Sequence, residues 1–119
     1  MKARYDYPRQ SRLRRTTDIS AVFRGGKRVR GRFVDIIETS SPGSESRLAV
    51  IVAKRGHSAV ERNKVRRLLR EIARTSWLPA RRHAGGSRDM IVRARAEAYG
   101  ASAAALAADF ERCTREVGC

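Results

Sequence analysis

Apolar and polar positions in the first half of the chain follow patterns that predict one helix and two strands. The helix is expected to begin at Thr16 or Thr17, either of which can cap its first turn, and to end at the glycine pair 25–26. Its apolar stripe consists of Ile19, Val22 and Phe23. The β-branched stretch 28–39 and the apolar run 47–54 predict two strands, which the polar segment between them would join as a hairpin.

The second half of the chain predicts a helix, a strand and a further helix. The first of these helices covers 59–76 and is expected to stop at Pro79, with a loop over 80–87. Residues 88–95 have the composition of a strand, and Ser102 can cap the last helix. The apolar stripe of that last helix consists of Leu106, Phe110, Cys113 and Val117. The resulting order, α-β-β-α-β-α, predicts an α+β domain with helices packed over one sheet.

The helix at 59–76 is unusual because its polar side carries almost only positive charge. Ser58 and Glu61 are spaced as a capping box at its start. With about 100° of rotation per residue, its apolar side consists of Val65, Leu68, Leu69 and Ile72. The other side, which we call the basic face, consists of Arg62, Asn63, Lys64, Arg66, Arg67, Arg70 and Arg74. Lys64 is the member that lies nearest the apolar side. An ordinary solvated helix face is the alternative, but such faces mix charges of both signs, and no acidic residue is expected on this side.

The composition points to a polyanionic partner. The chain of 119 residues has 27 Lys and Arg against 12 Asp and Glu, a net charge of +15. Positive charge is concentrated in the segments 1–34 and 54–74. Such a charge favours a nucleic acid as partner and argues against an ordinary small-molecule enzyme. Residues 1–11 lack periodicity and predict a flexible basic arm ahead of one domain at 12–119.

No catalytic or metal-binding set of residues stands out. His57 could act as a general base in principle, but it has no paired acid and is expected to be a loop residue. The spacing of Cys113 and Cys119 differs from a CxxC motif, so no metal site is predicted. Because there is no apolar stretch long enough to span a bilayer and no signal-peptide pattern, we expect a soluble intracellular protein.

Residues 53–74, AKRGHSAVERNKVRRLLREIAR, resemble the protein subunit of bacterial ribonuclease P. The signature of that family is a strand ending in a basic pair, a short loop, and a helix with an Arg-Asn-Arg motif followed by basic pairs and Arg-Glu. Here Arg62-Asn63-Lys64, Arg66-Arg67 and Arg70-Glu71 stand in that register. The segments 12–33 and 88–95 are similar to the first helix with the first strand, and to the third strand, of the family.

This resemblance implies both a fold and a function. The fold would be a small two-layer α+β sandwich of ribosomal-protein type, with a mixed four-stranded sheet, about three helices and the order αβββαβα. The function would be that of the protein component of the ribonuclease P ribonucleoprotein, an endoribonuclease that removes the 5′ leader of precursor tRNA. The chain at 12–119 would then be a single RNA-binding domain, located in the cytoplasm.

The implied partners are the ribonuclease P RNA subunit and precursor tRNA, with neither a membrane nor a small-molecule substrate. The protein itself would hold no cofactor and no catalytic residue, because cleavage would depend on Mg²⁺ bound mainly by the partner RNA. Two alternatives remain open at this point. One is a ribosomal or RNA-chaperone protein without a processing role, and the other is a nuclease that acts without RNA.

The resemblance also implies two binding surfaces. The basic face, Arg62, Asn63, Lys64, Arg66, Arg67, Arg70 and Arg74, would contact RNA. A cleft between the first helix and the sheet would bind the leader, lined by Phe23, Ile19, Lys54, Arg55 and Phe33. Where the family commonly has two aromatic residues four apart, this chain has Ile19 and Phe23, so that stacking would rest on Phe23 alone. Lys64 replaces the second Arg of the motif, which keeps the charge but loses the planar fork.

Overall fold

A computed structural model describes residues 9–53, 56–84 and 86–117. Four strands form one mixed sheet: β1 (Lys27–Arg30), β2 (Val34–Ser40), β3 (Arg47–Ile51) and β4 (Arg88–Ala94). Their spatial order is β1-β2-β4-β3, in which β2 runs antiparallel to both of its neighbours and β3 runs parallel to β4. The predicted class, an α+β fold with a four-stranded mixed sheet, is confirmed.

The strand pairing corrects the hairpin expected from the sequence. The predicted strand at 28–39 is two strands, β1 and β2, because the chain turns between Arg30 and Val34. Strand β4 then lies between β2 and β3, so the segments 28–39 and 47–54 do not pair with each other. A β-carbon on Gly31 would lie 2.5 Å from Oδ2 of Asp109, which shows how closely the last helix approaches this turn.

Within the described ranges, four α-helices accompany the sheet: α1 (Thr16–Gly25), α2 (Ala59–Ile72), α3 (Leu78–Ala84) and α4 (Ala103–Val117). The expected end of the second helix at Pro79 is wrong, because a π-helical turn, Ala73–Trp77, joins α2 to α3. Pro79 lies in the first turn of α3, where the missing N–H of proline is best tolerated. The predicted loop therefore begins only after Ala84.

The helix starts show which capping predictions hold. The capping box of α2 is present: the Ser58 hydroxyl accepts from the N–H of Glu61, and the Glu61 carboxylate accepts from the N–H of Ser58. The Ser102 hydroxyl likewise accepts from the N–H of Ala105 at the start of α4. The prediction for α1 is wrong, because its N-cap is Arg15 and no side chain caps the first turn.

The two faces of the sheet are covered by different helices. Helices α2 and α4 cover the face that carries Leu48, Met90 and Val92, and form the larger core cluster with it. Helix α1 packs against the opposite face through Val22, where a smaller cluster contains Leu13, Ile37, Ala49 and Ile91. The sheet therefore separates the surface of α2 from the surface of α1.

The segment before α1 lies along the edge of β3. Residues Arg9–Ser11 form a short 3₁₀ turn, and Arg12 pairs with Leu48 in an isolated parallel bridge. The N–H of Leu13 donates to the carbonyl of Leu48 at 2.9 Å. The remainder of the predicted arm, residues 1–8, lies outside the described residues. Within the described ranges, the helices lack the length and apolar character needed to cross a membrane.

Candidate nucleic-acid interface

Helix α2 is oriented by its apolar side, which fixes where the basic face points. Leu69 is fully buried and Val65 nearly so, while Leu68 and Ile72 pack partly buried against the same core. This burial leaves the opposite side of the helix in solvent. Asn63, Lys64, Arg67 and Arg70 are exposed, and Arg62, Arg66 and Arg74 are half-buried.

Hydrogen bonds on the basic face orient two guanidinium groups. Arg66 donates from Nη1 to Oδ1 of Asn63 at 2.7 Å. Arg62 donates from Nη1 to the carbonyl of His57 at 2.7 Å, so it also ties the start of α2 to the preceding loop. Both acceptors are neutral, and the positive charge of the two arginines is therefore not cancelled by these contacts.

One member of the basic face is neutralised, which corrects the expectation that no acidic residue lies on this side. Arg74 forms an ion pair with Glu71, with 2.6 Å between Nη2 and Oε2. Residues three apart on a helix are neighbours, so the pairing follows from the spacing of Glu71 and Arg74. Lys64, Arg66, Arg67 and Arg70 have no carboxylate within ion-pairing distance among the residues that the structure describes.

Most carboxylates of the described chain are engaged elsewhere, which explains why these cations stay without acidic partners. Asp35, Glu38, Asp89 and Asp109 are all buried and each binds an arginine. Glu61 is held by the capping box, and its backbone contact with Ser58 lowers the pKa of the carboxyl group. The ion pairs away from α2 are Arg47 with Asp18 and Asp89, Arg88 with Glu38, Arg93 and Arg95 with Asp35, Arg95 with Glu97, and Arg112 with Asp109 and Glu116.

A second surface lies between α1 and the sheet. Ile19 and Phe23 of α1 and Ile51 of β3 pack half-buried against the smaller core cluster. The guanidinium groups of Arg28 and Arg93 lie 6.0 and 5.9 Å from the centre of the Phe23 ring. This surface, which we call the α1 cleft, thus combines one aromatic ring with two cations, a combination suited to an unpaired nucleotide.

The α1 cleft differs from the predicted one in its lining. Phe33 packs against the larger core cluster on the other side of the sheet, beneath Arg32, and does not line the cleft. Lys54 and Arg55 lie outside the described residues. The sequence did not predict Arg28, Ile51 and Arg93 as lining residues, because their proximity to Phe23 depends on the strand order. The only signal was that Arg28 and Arg93 lie in strand-like segments with other arginines.

The described residues show no cluster of three His, Cys, Asp or Glu side chains able to hold a metal ion. The His57 ring stacks on Tyr99, with 3.5 Å between ring centres and 2° between planes. Burial raises the pKa of the Cys113 thiol, the neighbouring Asp109 raises it further, and the group is fully buried.

The fold and its charges define a small, strongly basic α+β protein with an arginine-rich helix face, a class typical of RNA-binding proteins. A sequence model of the family described as Ribonuclease P matches residues 7–118. The chain is 40% identical over 111 residues to the ribonuclease P protein component of Acidothermus cellulolyticus, covering 88% of this chain and 86% of that protein. It is 38% identical over 102 residues to the protein component of Nocardioides sp., covering 82% of each.

Solved structures of the same family share the fold. The ribonuclease P protein of Staphylococcus aureus superposes with a TM-score of 0.74 at 23% identity, covering 89% of this chain and 94% of that one. The protein of Thermotoga maritima gives a TM-score of 0.71 at 22% identity, covering 87% and 96%.

The chain belongs to the ribonuclease P protein family. Its function is that of the protein subunit of ribonuclease P in tRNA 5′ processing, within a ribonucleoprotein that has an RNA partner. This membership decides against the ribosomal or RNA-chaperone alternative.

Proposed function

We propose that the basic face of α2 docks this protein on the RNA subunit of ribonuclease P. The observation that carries the proposal is the set of exposed or half-buried cations, Lys64, Arg66, Arg67 and Arg70, without carboxylate partners in the described chain. Cations spaced three or four apart on a helix repel one another by a few tenths of a kcal/mol per pair. A phosphate backbone removes this repulsion and releases counterions on binding.

The α1 cleft is the proposed contact for the 5′ leader of precursor tRNA. The leader is single-stranded, and proteins bind such strands by stacking bases on aromatic rings beside positive charge. Phe23 supplies the ring, Ile19 an apolar wall, and Arg28 a cation without a carboxylate partner among the described residues, while Arg93 also pairs with Asp35. Lys54 and Arg55 remain predicted contributors on the ground of the family resemblance.

Cleavage chemistry is assigned in this proposal to the RNA subunit and to Mg²⁺ that the RNA binds. The protein would contribute affinity for both RNAs and screening of their mutual repulsion, because its net charge is +15. The site of action would be the cytoplasm, with the ribonuclease P RNA subunit and precursor tRNA as partners.

Reconstitution with the cognate RNA subunit at low magnesium, scored for leader removal from precursor tRNA, tests the function. The purified protein without RNA should not cleave. Cleavage by the polypeptide alone would show that the protein carries the chemistry and would contradict the proposal.

The docking face is tested by Arg66→Ala combined with Arg67→Ala. Each lost phosphate contact should lower the slope of log affinity against log salt by roughly 0.7–0.9, so the double variant should bind the RNA subunit more weakly and with a shallower slope. The matched control is Arg32→Ala with Arg115→Ala, which removes two exposed arginines from other surfaces. An unchanged slope in the α2 variant would contradict docking through this face.

A further inference from the structure

A concave surface at the start of α1, which we call the α1 pocket, has no part in either contact described so far. Its volume is about 410 Å³. The lining residues are Gln10, Arg12, Arg14, Arg15, Asp18 and Arg47. Four of these six side chains are arginines, so the pocket is strongly positive in spite of the one carboxylate in its wall.

The backbone that presents these arginines is held in place. Residues 11–14 alternate between inside and outside: Ser11 and Leu13 are buried, whereas Arg12 and Arg14 are exposed. The bridge to β3 and the hydrogen bond from Leu13 to Leu48 fix this segment along the edge of the sheet. A ligand in the α1 pocket would therefore meet cations on an ordered backbone and would lose less entropy in ordering them.

Arg47 connects the wall of the pocket to the sheet. It binds both carboxylate oxygens of Asp89, at 2.9 Å from Nε and 2.7 Å from Nη2, and contacts Asp18 of α1 at 3.2 Å. These contacts raise the pKa of Arg47, with the hydrogen bond to Asp89 as the main cause. They also engage Asp18, which lines the pocket, and Asp89.

Arg14 and Arg15 are left as the unengaged charges of the pocket. Both side chains are exposed, and neither has a carboxylate within ion-pairing distance in the part of the chain that the structure describes. The first turn of α1 begins beside them without a side-chain cap, so its N–H groups add positive potential to that of the arginines. A guanidinium group can bind a phosphate group through two parallel N–H···O hydrogen bonds. A phosphate in the pocket would therefore form paired hydrogen bonds with these arginines.

We propose that the α1 pocket binds phosphodiester groups of an RNA strand through Arg14 and Arg15, as a third RNA contact of this protein beside the basic face and the α1 cleft. The inference rests on the proposed function in that it takes RNA as the partner. Arg47 acts as a positioning residue that holds the start of α1 against the sheet. Because α1 and α2 cover opposite faces of the sheet, this contact is separate from the basic face of α2.

The test compares full-length variants for affinity to the ribonuclease P RNA subunit over a series of salt concentrations. Arg14→Ala with Arg15→Ala should lower the salt slope by roughly 1.4–1.8 for two lost phosphate contacts. Combination with Arg66→Ala and Arg67→Ala should lower it by the sum of the two effects. The control is again Arg32→Ala with Arg115→Ala, which should leave the slope unchanged. An unchanged slope in the α1 variant, or a combined variant no weaker than the α2 variant alone, would overturn the inference.

The same comparison separates the two proposals. Loss of affinity in the α2 variant alone would refute the α1 pocket and leave the proposed docking face standing. Loss in the α1 variant alone would refute the docking face and leave the α1 pocket standing. Because Arg14 and Arg15 are exposed, their substitution should not disturb folding, which thermal unfolding of each variant verifies.

A second measurement identifies the source of the phosphate. The ¹⁵N-labelled protein is titrated with inorganic phosphate and, separately, with a short single-stranded oligouridylate, both at constant ionic strength. Amide signals of Thr16, Thr17 and Asp18 should shift at much lower concentration of the oligonucleotide than of phosphate, and only weakly in the Arg14→Ala, Arg15→Ala variant. Shifts with inorganic phosphate alone would indicate a free-anion site and would overturn the assignment to RNA.

Discussion

At the scale of single residues, Asp109 decides the geometry of the turn between β1 and β2. Its carboxylate accepts from the backbone N–H groups of Arg32, Phe33 and Val34, at 3.2, 2.8 and 3.1 Å. Arg112 donates to the same carboxylate from the next turn of α4. One buried side chain on the last helix thus satisfies three donors of a turn that is distant in sequence.

Asp109→Ala should lower the free energy of unfolding by about 2–4 kcal/mol, because buried N–H donors would be left without an acceptor. Urea denaturation measures the change. Glu111→Ala, an exposed substitution on the same helix, is the control and should stay within about 0.5 kcal/mol of the parent protein. Equal stability of the two variants would show that the carboxylate does not hold the turn.

The contribution of Asp109 should also depend on pH. Burial raises the pKa of this carboxyl group, but the N–H donors of Phe33 and Arg32 and the guanidinium of Arg112 outweigh burial and leave the pKa below its usual value. A pKa that is lower in the folded state stabilises the fold above the unfolded value of about 3.9. The stability gap between the parent protein and Asp109→Ala should therefore narrow as the pH falls below about 4. A gap independent of pH would contradict this assignment.

Phe23 is the residue on which leader binding is expected to depend. Phe23→Leu keeps an apolar side chain against the smaller core cluster. It removes the aromatic ring on which a base could stack and which Arg28 and Arg93 contact through cation–π interactions. Stacking of one base is worth about 1–3 kcal/mol, so the affinity of the reconstituted enzyme for precursor tRNA should fall roughly tenfold. Affinity for mature tRNA, which lacks a leader, is the control and should not change.

At the scale of elements, α2 owes its exposed cations to local order at its start. The capping box satisfies the first-turn N–H groups, and the buried Val65 and Leu69 fix the rotation of the helix. The π-helical turn that follows extends the helical rod into α3. The basic face is therefore presented on a continuous helical support, which favours recognition of a shaped phosphate surface.

Ser58→Ala should destabilise α2 by about 1 kcal/mol, because it removes the side-chain acceptor of the cap. Amide hydrogen exchange in the first turn of α2 should accelerate, while that of β4 should follow only the change in global stability. Ser44→Ala, in the exposed turn before β3, is the matched control. Unchanged exchange in the first turn would show that the cap is not needed for the order of the helix.

At the scale of the whole molecule, ion pairs between carboxylates and arginines decide where unpaired positive charge remains on the surface. Buried or half-buried carboxylates on α1, on the sheet and on α4 bind arginines. Among the described residues, positive charge without ion pairs remains on α2, around the start of α1, and from the end of α1 through the β1–β2 turn, where Arg24, Arg28, Arg30 and Arg32 are exposed. With a net charge of +15, the folded state carries strong self-repulsion. Binding of a polyanion removes this repulsion, which couples stability to RNA binding.

Added salt should therefore raise the melting temperature by several degrees, since screening of the repulsion outweighs screening of the ion pairs, most of which are partly buried. Thermal unfolding in chloride and in sulfate at equal ionic strength measures the effect. A larger rise in sulfate that is lost in the Arg14→Ala, Arg15→Ala variant would point to anion binding in the α1 pocket. A melting temperature that falls with salt would contradict the prediction.

The sequence by itself determined the elements that depend on local order. Periodicity and capping located α2, its basic face and the start of α4, because helix hydrogen bonds and caps join residues only a few positions apart. The motif on α2 also led to the family. Local patterns failed at the end of α2, where a π-helical turn carried the helix past Pro79, and at the start of α1, where neither threonine serves as the cap.

Only the tertiary structure decided which distant residues became neighbours. The insertion of β4 between β2 and β3 brought Arg93 to the ring of Phe23, while the turn after β1 took Phe33 to the other side of the sheet. The folding of the edge segment onto β3 gathered the arginines of the α1 pocket. Strand order and the ion pairs between different elements arise from contacts between residues far apart in the chain, and these contacts produce no periodic pattern in the sequence.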